Sequence, residues 1–379
     1  MHRPVRILVV GMSSNRGGVE SVIINYYRRF DKDKIRLDFL SNEEHIAFEE
    51  ELRSYGSKMY YVPAKRSGLK KYKKALNNFF RLHASEYDVI WCNQLQLANI
   101  DYLKLAKEYG IRRRIIHSHN SRSGYVGLAK IVRDCIHGIN RQMVVNYATD
   151  FWACSQTAAE YFYPKSVMNK VKIINNAIDI HSVEFNESKR DEIRKQYKIE
   201  DDLVIGNVGR LHMQKNQTFM LDIMAEVVKF KPNAKLLLVG DGSDKDMLVS
   251  KMAELGLQNR CVIFAGMQSD IQAYLSAFDV FLFPSLFEGL SVAALEGQAN
   301  GVPFLASSNG NVPEIKINSN FSFVDLNDGA KHWADVVLEV AQQDNRLKED
   351  EIEASFDRAS FNIEKESLKL EKELSKKYK

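Results

Sequence analysis

Short apolar runs rich in valine and isoleucine alternate with longer segments of helical periodicity along most of the chain. This alternation is typical of parallel strands joined by crossover helices. The predicted strands are Ile7–Val10, Leu37–Leu40, Met59–Val62, Val89–Cys92, Ile115–His117, Phe151–Cys154, Val171–Ile174, Leu203–Val208, Leu236–Val239, Val262–Ala265, Val280–Phe283, Phe304–Ala306 and Phe321–Val324. Thirteen strands are too many for one doubly wound sheet, and 379 residues exceed the usual size of one core. The sequence therefore predicts an α/β protein with two Rossmann-like domains.

A polar, highly charged stretch from His181 to Asp202 separates the two sets of strands, and it contains no apolar run. We expect the interdomain connection there, with domains over residues 1–180 and 200–350. The chain closes with a helical segment from Trp333 to Gln342 and a charged helix over about 361–379. That last helix is expected to pack back on the first domain.

Several classes of protein are disfavoured by composition. No stretch approaches the 18 apolar residues of a membrane span, and the apolar run near the start is too short for a signal peptide. The cysteines Cys92, Cys135, Cys154 and Cys261 are widely spaced, without the pairing of a metal site or disulfide framework. We expect reduced, buried thiols in a cytoplasmic protein.

Charge is distributed unevenly along the chain. Residues 1–180 carry 29 Lys/Arg against 17 Asp/Glu, whereas residues 181–379 carry 24 against 32. The basic first half predicts an anionic substrate or membrane surface as its partner, and its densest stretch is Lys65–Lys74. A solvated helix face is the alternative. Aromatic residues are not interleaved with this run as in single-strand binders, so no nucleic-acid partner is expected.

Two glutamates, Glu288 and Glu296, follow the apolar run that ends at Phe283, with Pro284 opening a turn. This pattern predicts that a helix begins near Glu288, with Glu296 about two turns into it. A helix start offers N–H groups to an anion, and carboxylates accept hydrogen bonds from hydroxyls. A sugar nucleotide has both groups. Alternatively, Glu288 caps the helix and Glu296 is a solvated surface acid.

Cations and glycines follow the other strands of the second half. Arg210 and Lys215 come after the first of these strands, Gly240 after the second and Gly266 after the third. Ligands bind beyond the carboxyl ends of such strands. Glycines there allow close approach of backbone, while a guanidinium and an ammonium together can hold a diphosphate without metal. Each cation alone is more often a surface residue, but their joint placement predicts a site.

The first half has its own set of such residues. Gly17 and Gly18 open an amphipathic helix that runs to about Arg29, and their loop suits phosphate. The segment lacks the G-x-G-x-x-G pattern, so a nicotinamide dehydrogenase is disfavoured. His117 and His119 end the fifth strand, where a metal pair would lack a third ligand.

Two D-x-D elements, Asp31–Asp33 and Asp244–Asp246, are discounted as metal ligands. The first follows a predicted helix among other charges, and the second is expected to begin a helix, where acids favour the helix dipole.

These residues resemble glycosyltransferase family 4, a family of retaining enzymes whose GT-B fold has two Rossmann-like domains facing a central cleft. The resemblance covers nearly the whole chain. Its most specific part is the E-x7-E signature from Glu288 to Glu296, followed by Gly209-Arg210-Leu211 with Lys215-Asn216. The chain departs from the family at Ala177, where glycine is usual.

The resemblance implies a role for each site residue. Arg210 and Lys215 would hold the donor diphosphate. Glu288 would contact the transferred sugar with the N–H groups of Gly289 and Leu290, and Glu296 would bind the ribose. The remaining donor-site residues would be Asp270 and Ile271 at the base, with Gly17, Gly18 and Gly240 close to the donor. His119 is preferred over His117 as the histidine beside the sugar. The implied catalytic residues are thus Glu288, His119, Arg210 and Lys215.

The resemblance also implies a reaction: transfer of a sugar from a nucleoside diphosphate, most often UDP, with no cofactor and no metal. Bacterial capsular and exopolysaccharide enzymes, which extend a lipid-diphosphate-linked glycan, are the most similar group. The expected location is the inner face of the plasma membrane, bound peripherally to anionic lipid. A nucleotide-sugar epimerase of the same fold is the alternative function, and a non-catalytic nucleotide-sugar-binding subunit is a third.

Overall fold

The computed structural model describes residues 3–121, 127–257, 261–343 and 345–376. The chain forms two compact units. The first unit contains Met1–Ala177 and Ile363–Lys379, and the second contains Ile178–Asn362. Each unit has its own sheet of parallel strands, and all thirteen predicted strands are present.

The first unit contains a seven-stranded sheet in the order β3-β2-β1-β4-β5-β6-β7. Its strands are β1 Val5–Val10, β2 Ile35–Ser41, β3 Met59–Tyr61, β4 Val89–Gln94, β5 Arg113–Ser118, β6 Asp150–Ala153 and β7 Val171–Ile173. Its helices are α1 Gly18–Arg29, α2 Glu49–Ser54, α3 Leu69–His83, α4 Asp101–Glu108, α5 Gly127–Met143, α6 Gln156–Phe162 and, at the end of the chain, α14 Ile363–Leu374.

The second unit contains a six-stranded sheet in the order β10-β9-β8-β11-β12-β13. Its strands are β8 Val204–Val208, β9 Lys235–Val239, β10 Val262–Gly266, β11 Val280–Phe283, β12 Phe304–Ser307 and β13 Phe321–Val324. Its helices are α7 Glu187–Tyr197, α8 Gln217–Val227, α9 Lys245–Glu254, α10 Ile271–Ala277, α11 Val292–Ala299, α12 Gly329–Ala341 and α13 Glu349–Ala359.

The central strands are apolar because helices cover both faces of each sheet. Every residue of β8 and of β11 is buried. In both sheets the strand order reverses once, between β1 and β4 in the first unit and between β8 and β11 in the second. Such a reversal opens a crevice at the carboxyl ends of the two strands, because their crossover connections run in opposite directions.

The structure corrects the predicted connection. The stretch 181–202 belongs to the second unit, which begins at Ile178, and it contains helix α7. Helix α7 was missed because it buries only Ile193 and Arg194 among many charged residues. The guanidinium of Arg194 forms an ion pair with Asp279 at 2.7 Å and hydrogen bonds to the carbonyl of Ala277.

The end of the chain also differs from expectation. Helix α13 was not predicted, and the last helix extends over Ile363–Leu374 rather than 361–379, with residues 377–379 outside the described part. Helix α14 belongs to the first unit, where Glu364 pairs with Arg29 of α1 at 2.9 Å. No helix in the described ranges is long and apolar enough to cross a bilayer.

One cysteine departs from the prediction of buried thiols. Cys92 and Cys154 are buried and Cys261 is partly buried, whereas Cys135 is exposed on α5. Apolar sequence around Cys135 led to the wrong prediction, because the apolar side of that helix faces outward.

Candidate donor site

The site of the second unit lies where β8 and β11 end, at the reversal of strand order. After β8 the chain passes through Gly209 and Arg210 and a single 3-10 turn, Met213–Lys215, before α8 begins. After β11 it enters the loop from Pro284 to Ser291 that carries Glu288. Because β8 and β11 are neighbours, the two loops meet and bring their polar side chains together.

Lys215 and Glu288 form an ion pair in this crevice. The Nζ atom of Lys215 lies 2.8 Å from Oε1 of Glu288, and their side chains are 15% and 8% exposed. The same ammonium lies 4.7 Å from the centre of the Phe283 ring, in a cation–π contact. Phe283 and Glu288 thus fix the position of a partly desolvated positive charge at the mouth of the crevice.

Arg210 is exposed, and its guanidinium makes no hydrogen bond or ion pair with the described residues. Its backbone is held, since the carbonyl of Arg210 accepts a hydrogen bond of 3.0 Å from Gln217 and the next residue, Leu211, donates its N–H to Asp241 at 3.0 Å. The fork of Arg210 therefore keeps its donors available for an anion, on a backbone that is already fixed.

Backbone hydrogen bonds hold the loop after β11 in place. The N–H of Glu288 donates to the carbonyl of Gly310 at 2.7 Å, and the N–H of Leu286 donates to Gln214 at 2.8 Å. Gln214 in turn donates its side-chain amide to Phe287 at 2.9 Å. A side chain at Gly310 would collide with the carbonyl of Ser285. Sequence analysis missed Gly310 and Gln214 because neither belongs to the motif they support.

The predicted helix start is wrong by about one turn. Helix α11 begins at Val292, after the extended Ser291, so Glu288 lies in the loop before the helix and Glu296 is one turn into it. The hydrogen bond between Glu288 and Gly310 holds position 288 outside helical geometry. Glu296 is partly buried, and desolvation raises the pKa of its carboxyl to about 7. Hydroxyl groups of a ligand that donate to this carboxyl would favour its charged form.

The remaining predicted residues of this unit lie around the same sheet edge or cap nearby helices. Gly289 and Leu290 are buried next to Glu288. Gly240 has a φ of +135°, and a side chain there would strike the carbonyl of Gly209. Asp270 caps α10 by accepting from Ala273 and pairs with Lys189 at 2.6 Å, and half-buried Ile271 follows it.

The loop after β1 in the first unit is organised by a buried glutamate. Gly17 is the N-cap of α1, and Gly18 is its first residue, with open space where a side chain would project. The carboxylate of Glu20 accepts hydrogen bonds from the N–H and hydroxyl of Ser13, at 2.7 and 2.8 Å. Glu20 is 5% exposed, and a side chain at Gly17 would meet its carboxylate oxygen at 2.8 Å. This bond fixes the glycine-containing loop beside the β1–β4 reversal.

The two histidines occupy different environments. His117 is fully buried in β5, stacked on Trp91 and edge-on to Trp152. His119 lies just beyond the end of β5, 9% exposed, with Nε2 at 2.9 Å from Oδ1 of Asn93. Burial lowers the pKa of His119 to about 3 and that of His117 well below its usual value, so both are neutral near pH 7.

The contact with Asn93 sets the tautomer of His119. Because the Asn93 oxygen is an acceptor, Nε2 of His119 carries the hydrogen and Nδ1 has the free lone pair. Asn93 lies at the end of β4, directly across the strand reversal from β1. A side chain at Gly11 would collide with the carbonyl of Asn93, so the two strand ends approach closely there. Asn93 was not singled out by sequence, since no motif includes it.

One group of metal-type ligands occurs among the described residues. His181, Glu184 and Glu349 have ligand atoms within 4.8 Å of one another, and all are at least partly exposed. None of the predicted site residues belongs to it. The structure thus brings Lys215 and Glu288 into contact in the second unit, with Arg210 in the same loop as Lys215 and Glu296 on helix α11. Gly17, Gly18 and His119 lie along the corresponding sheet edge of the first unit.

Comparison with known proteins identifies the class. The family described as "Glycosyl transferases group 1" matches residues 202–343, which hold the crevice of the second unit. The chain is a glycosyltransferase, and its two parallel-sheet units are those of the GT-B fold. It is 29% identical over 349 residues to "Putative glycosyltransferase EpsF" of Bacillus subtilis, a match that covers 89% of this chain and 88% of that one.

A second relative and the solved structures extend the comparison. The Escherichia coli enzyme named UDP-Gal:alpha-D-GlcNAc-diphosphoundecaprenol alpha-1,3-galactosyltransferase is 30% identical over 164 residues, or 42% of each chain. Anabaena Alr3699/HepE, solved in complex with UDP and glucose, is similar with a TM-score of 0.79 and 19% identity over 98% of this chain and 99% of that one. WaaG, a glycosyltransferase involved in lipopolysaccharide biosynthesis, reaches 0.67 at 13% identity, over 97% and 99%. At these identities the solved structures establish the fold.

Proposed function

We propose that the chain is a retaining, metal-independent glycosyltransferase that moves a sugar from a UDP-sugar to a lipid-diphosphate-linked glycan in polysaccharide biosynthesis. The observation that carries the proposal is the crevice at the β8–β11 reversal, where Lys215, in the same loop as Arg210, forms an ion pair with Glu288. The UDP complex of Alr3699/HepE and the undecaprenol-linked acceptor of the Escherichia coli relative support the donor and acceptor classes.

The cations act on the leaving group. In the transfer, the bond between the sugar's anomeric carbon and the β-phosphate oxygen breaks, and UDP departs with the electron pair. Negative charge grows on the diphosphate. Lys215, whose position is fixed before the reaction, and Arg210, whose donors are available, stabilise this charge more in the transition state than in the ground state. The acceptor oxygen forms the new bond on the face that UDP leaves, and its proton passes to the departing phosphate oxygen. The anomeric configuration is thereby retained.

Glu288 and Glu296 hold the donor in this scheme. Glu288 positions Lys215 and accepts hydrogen bonds from the transferred sugar, while Glu296 accepts from the ribose. In this scheme Glu288 and Glu296 do not flank the breaking bond, because Glu296 binds the ribose. The pair of carboxylates that glycoside hydrolases use is therefore not involved. His119 of the first unit is neutral and is oriented by Asn93, and we assign it a hydrogen bond with a hydroxyl of the transferred sugar.

Metal independence is supported by what the D-x-D residues already do. Asp31 accepts from the N–H of Asp33 at 2.9 Å and pairs with Lys34 at 3.2 Å. Asp244 is the residue before α9 and accepts from Ser243 at 2.8 Å. Both aspartates are thus used in local structure, and Arg210 with Lys215 supplies the positive charge that a divalent ion would otherwise bring.

The test is transfer from UDP-sugars to bacterial lipid extract, with and without excess chelator, followed by NMR of the product. We expect that transfer persists in excess chelator and that the product has the anomeric configuration of the donor sugar. Glu288→Ala should lower turnover far more than donor affinity, which should stay within about tenfold because one such hydrogen bond contributes roughly 1.5–3 kcal/mol. Inversion, or loss of activity in chelator, would overturn the mechanism. Isomerised donor formed without acceptor would instead identify an epimerase.

A further inference from the structure

Helix α5 exposes an apolar face. Ile131, Val132 and Ile139 are 61%, 59% and 62% exposed, Ile136 is 39% exposed, and Cys135 is exposed as well. Their spacing of i, i+1, i+4, i+5 and i+8 places all five on one side of the helix. These residues are called the α5 apolar face below. No charged residue lies among them.

The opposite side of α5 is polar, and it is this side that packs on the first unit. Asp134 accepts a hydrogen bond from Gln96 at 3.0 Å. His137 is buried and accepts from the N–H of Leu97 at 3.1 Å, and Asn140 donates to the carbonyl of Leu97 at 2.8 Å. A helix on a water-facing surface normally has the reverse arrangement. Five contiguous apolar side chains facing outward indicate a surface that is covered in use.

The segment after β4 joins the α5 apolar face to a basic surface. Residues 94–100 contact α5 as described, and they include Leu95, which is 54% exposed. From the same segment Asn99 donates to the hydroxyl of Tyr72 on α3 at 2.8 Å. Helix α3 begins with Leu69, which is 53% exposed. It then presents four exposed lysines that form no ion pair with the described residues: Lys70, Lys71, Lys73 and Lys74.

The charge of the first unit favours one kind of covering surface. Residues 52–85 carry nine lysines and arginines and no acid, and the first unit as a whole carries 35 against 20 Asp/Glu. A second copy on this face would bring two strongly basic surfaces together, which like-charge repulsion opposes. An anionic bilayer offers both hydrocarbon for the apolar side chains and negative headgroups for the lysines.

We propose that the α5 apolar face, with Leu95 and Leu69, inserts into the headgroup region of an anionic membrane while the lysines of α3 contact its phosphates. The surface adjoins the carboxyl ends of β4 and β5, where Asn93 and His119 lie. A lipid-linked acceptor held in the bilayer would thus reach the first unit at this sheet edge. Only the statement about the acceptor rests on the proposed function, whereas the docking surface rests on the exposed side chains of α5 and the lysines of α3.

The test is flotation of the full chain with phosphatidylcholine vesicles containing or lacking phosphatidylglycerol, over a range of salt. The double variant Ile131→Glu/Ile139→Glu should bind anionic vesicles roughly tenfold or more weakly than wild type at every salt concentration. It removes apolar insertion and adds charge repulsion. The matched control is Leu368→Glu on α14, an equally exposed leucine (69%) of the same unit. This control should bind within about twofold of wild type. Lys70→Gln/Lys71→Gln/Lys74→Gln should weaken binding mainly at low salt.

A second measurement reports insertion directly. Ile139→Trp should be quenched by brominated lipid, and Leu368→Trp should not. Flotation of the double glutamate variant equal to that of wild type would overturn the proposal. A wild-type dimer that the double variant dissociates, with flotation unchanged, would identify an interface between copies and would also overturn it. Transfer to acceptor in detergent micelles should be unchanged in the double variant. An inactive wild type that still floats would refute the proposed function and leave the docking surface supported.

Discussion

Among single residues, the ion pair between Lys215 and Glu288 lies at the centre of the candidate donor site. Both side chains are largely buried, so the two opposite charges stabilise each other there, and the Phe283 ring adds a cation–π contact to Lys215. The sequence predicted both residues in one site but with separate roles, Lys215 on the diphosphate and Glu288 on the sugar. The structure adds that they act as a pair, so a change in one alters the other.

Lys215→Ala is therefore expected to lower turnover by roughly 10²–10³-fold, because charge on the departing diphosphate loses a fixed partner. Affinity for UDP should fall much more than affinity for uridine, and the melting temperature should drop because Glu288 stays buried without its cation. Steady-state kinetics, calorimetric titration and thermal melts measure these changes. Lys231→Ala, at an exposed lysine of the same unit, is the control.

Lys215→Arg should restore only part of the activity, since a planar fork replaces a compact ammonium held over a ring. Wild-type turnover in Lys215→Ala would contradict this account of the site.

Glu296 predicts a dependence of donor affinity on pH. Its folded-state pKa of about 7 lies above the ordinary value, so the carboxyl is largely protonated at pH 6 and ionised at pH 8. In the proposed function the ribose hydroxyls donate to the ionised form, so UDP affinity should rise about tenfold between these pH values through this group. The UDP phosphate also titrates in this range, and it does so equally with wild type and with Glu296→Gln. The difference between their pH profiles of UDP affinity therefore reports the Glu296 carboxyl alone. Parallel pH profiles for variant and wild type would exclude the role.

The same shift has a consequence for stability, and its sign is opposite to that of a salt-bridged acid. The contribution of Glu296 is fully present below about pH 4.5 and is lost as pH rises through 7, because ionisation is disfavoured only in the folded chain. The free energy of unfolding of wild type without ligand should therefore decrease between pH 6 and pH 8. That of Glu296→Gln should decrease less. Urea melts at the two pH values measure this.

At the scale of elements, helix α11 is held by one buried glutamine. Gln298 accepts from the N–H groups of Ile317 and Asn318, at 3.0 and 3.2 Å, and donates to the carbonyls of Ala294 and Ile315. All of its hydrogen-bonding capacity is used inside the protein. This helix carries Glu296 two residues earlier, so the segment 315–318 helps to fix the position of a candidate donor-site residue.

Gln298→Leu should destabilise the protein by roughly 2–4 kcal/mol, since it leaves buried N–H and carbonyl groups of the segment 315–318 without partners. It should weaken UDP binding as well, because α11 is no longer held. Gln156→Leu, at an exposed glutamine on α6, is the control and should change the unfolding free energy by less than about 0.5 kcal/mol. Equal stability of the two variants in urea melts would show that α11 is held by other contacts.

Elements also show where sequence patterns fail. Strands β8 and β11 were predicted because strands covered on both faces are continuous apolar runs. Helix α7 was not, since it is held by the contacts of Arg194 with Asp279 and Ala277 rather than by an apolar stripe. Such contacts join residues more than 80 positions apart, and no local periodicity records them.

At the scale of the whole molecule, charge separates the two units. The first unit carries 35 lysines and arginines against 20 acids, and the second carries 18 against 29. The contrast is larger than between the two halves of the sequence, because the basic end of the chain, residues 363–379, belongs to the first unit and Asp179 belongs to the second. The opposite charges give the two units different preferences for anionic surfaces.

Flotation of the wild-type chain with anionic vesicles should therefore decrease steeply as salt is raised from about 0.05 to 0.5 M, because lysines near such a surface contribute about 1 kcal/mol each and are screened. The binding that remains at high salt measures the contribution of apolar insertion. Equal binding to neutral and anionic vesicles at low salt would contradict the electrostatic attraction.

The thirteen strands, the two Rossmann-like units and the candidate site residues at strand ends could be predicted from the sequence, because apolar runs and the residue types that bind phosphate are local features of a chain. Only the tertiary structure decided that Lys215 pairs with Glu288 and that His119 rather than His117 lies at the sheet edge. It also decided that α5 turns its apolar face outward. Each of these depends on which residue, distant in sequence, occupies the neighbouring space, and a pattern of polarity along the chain does not contain that information.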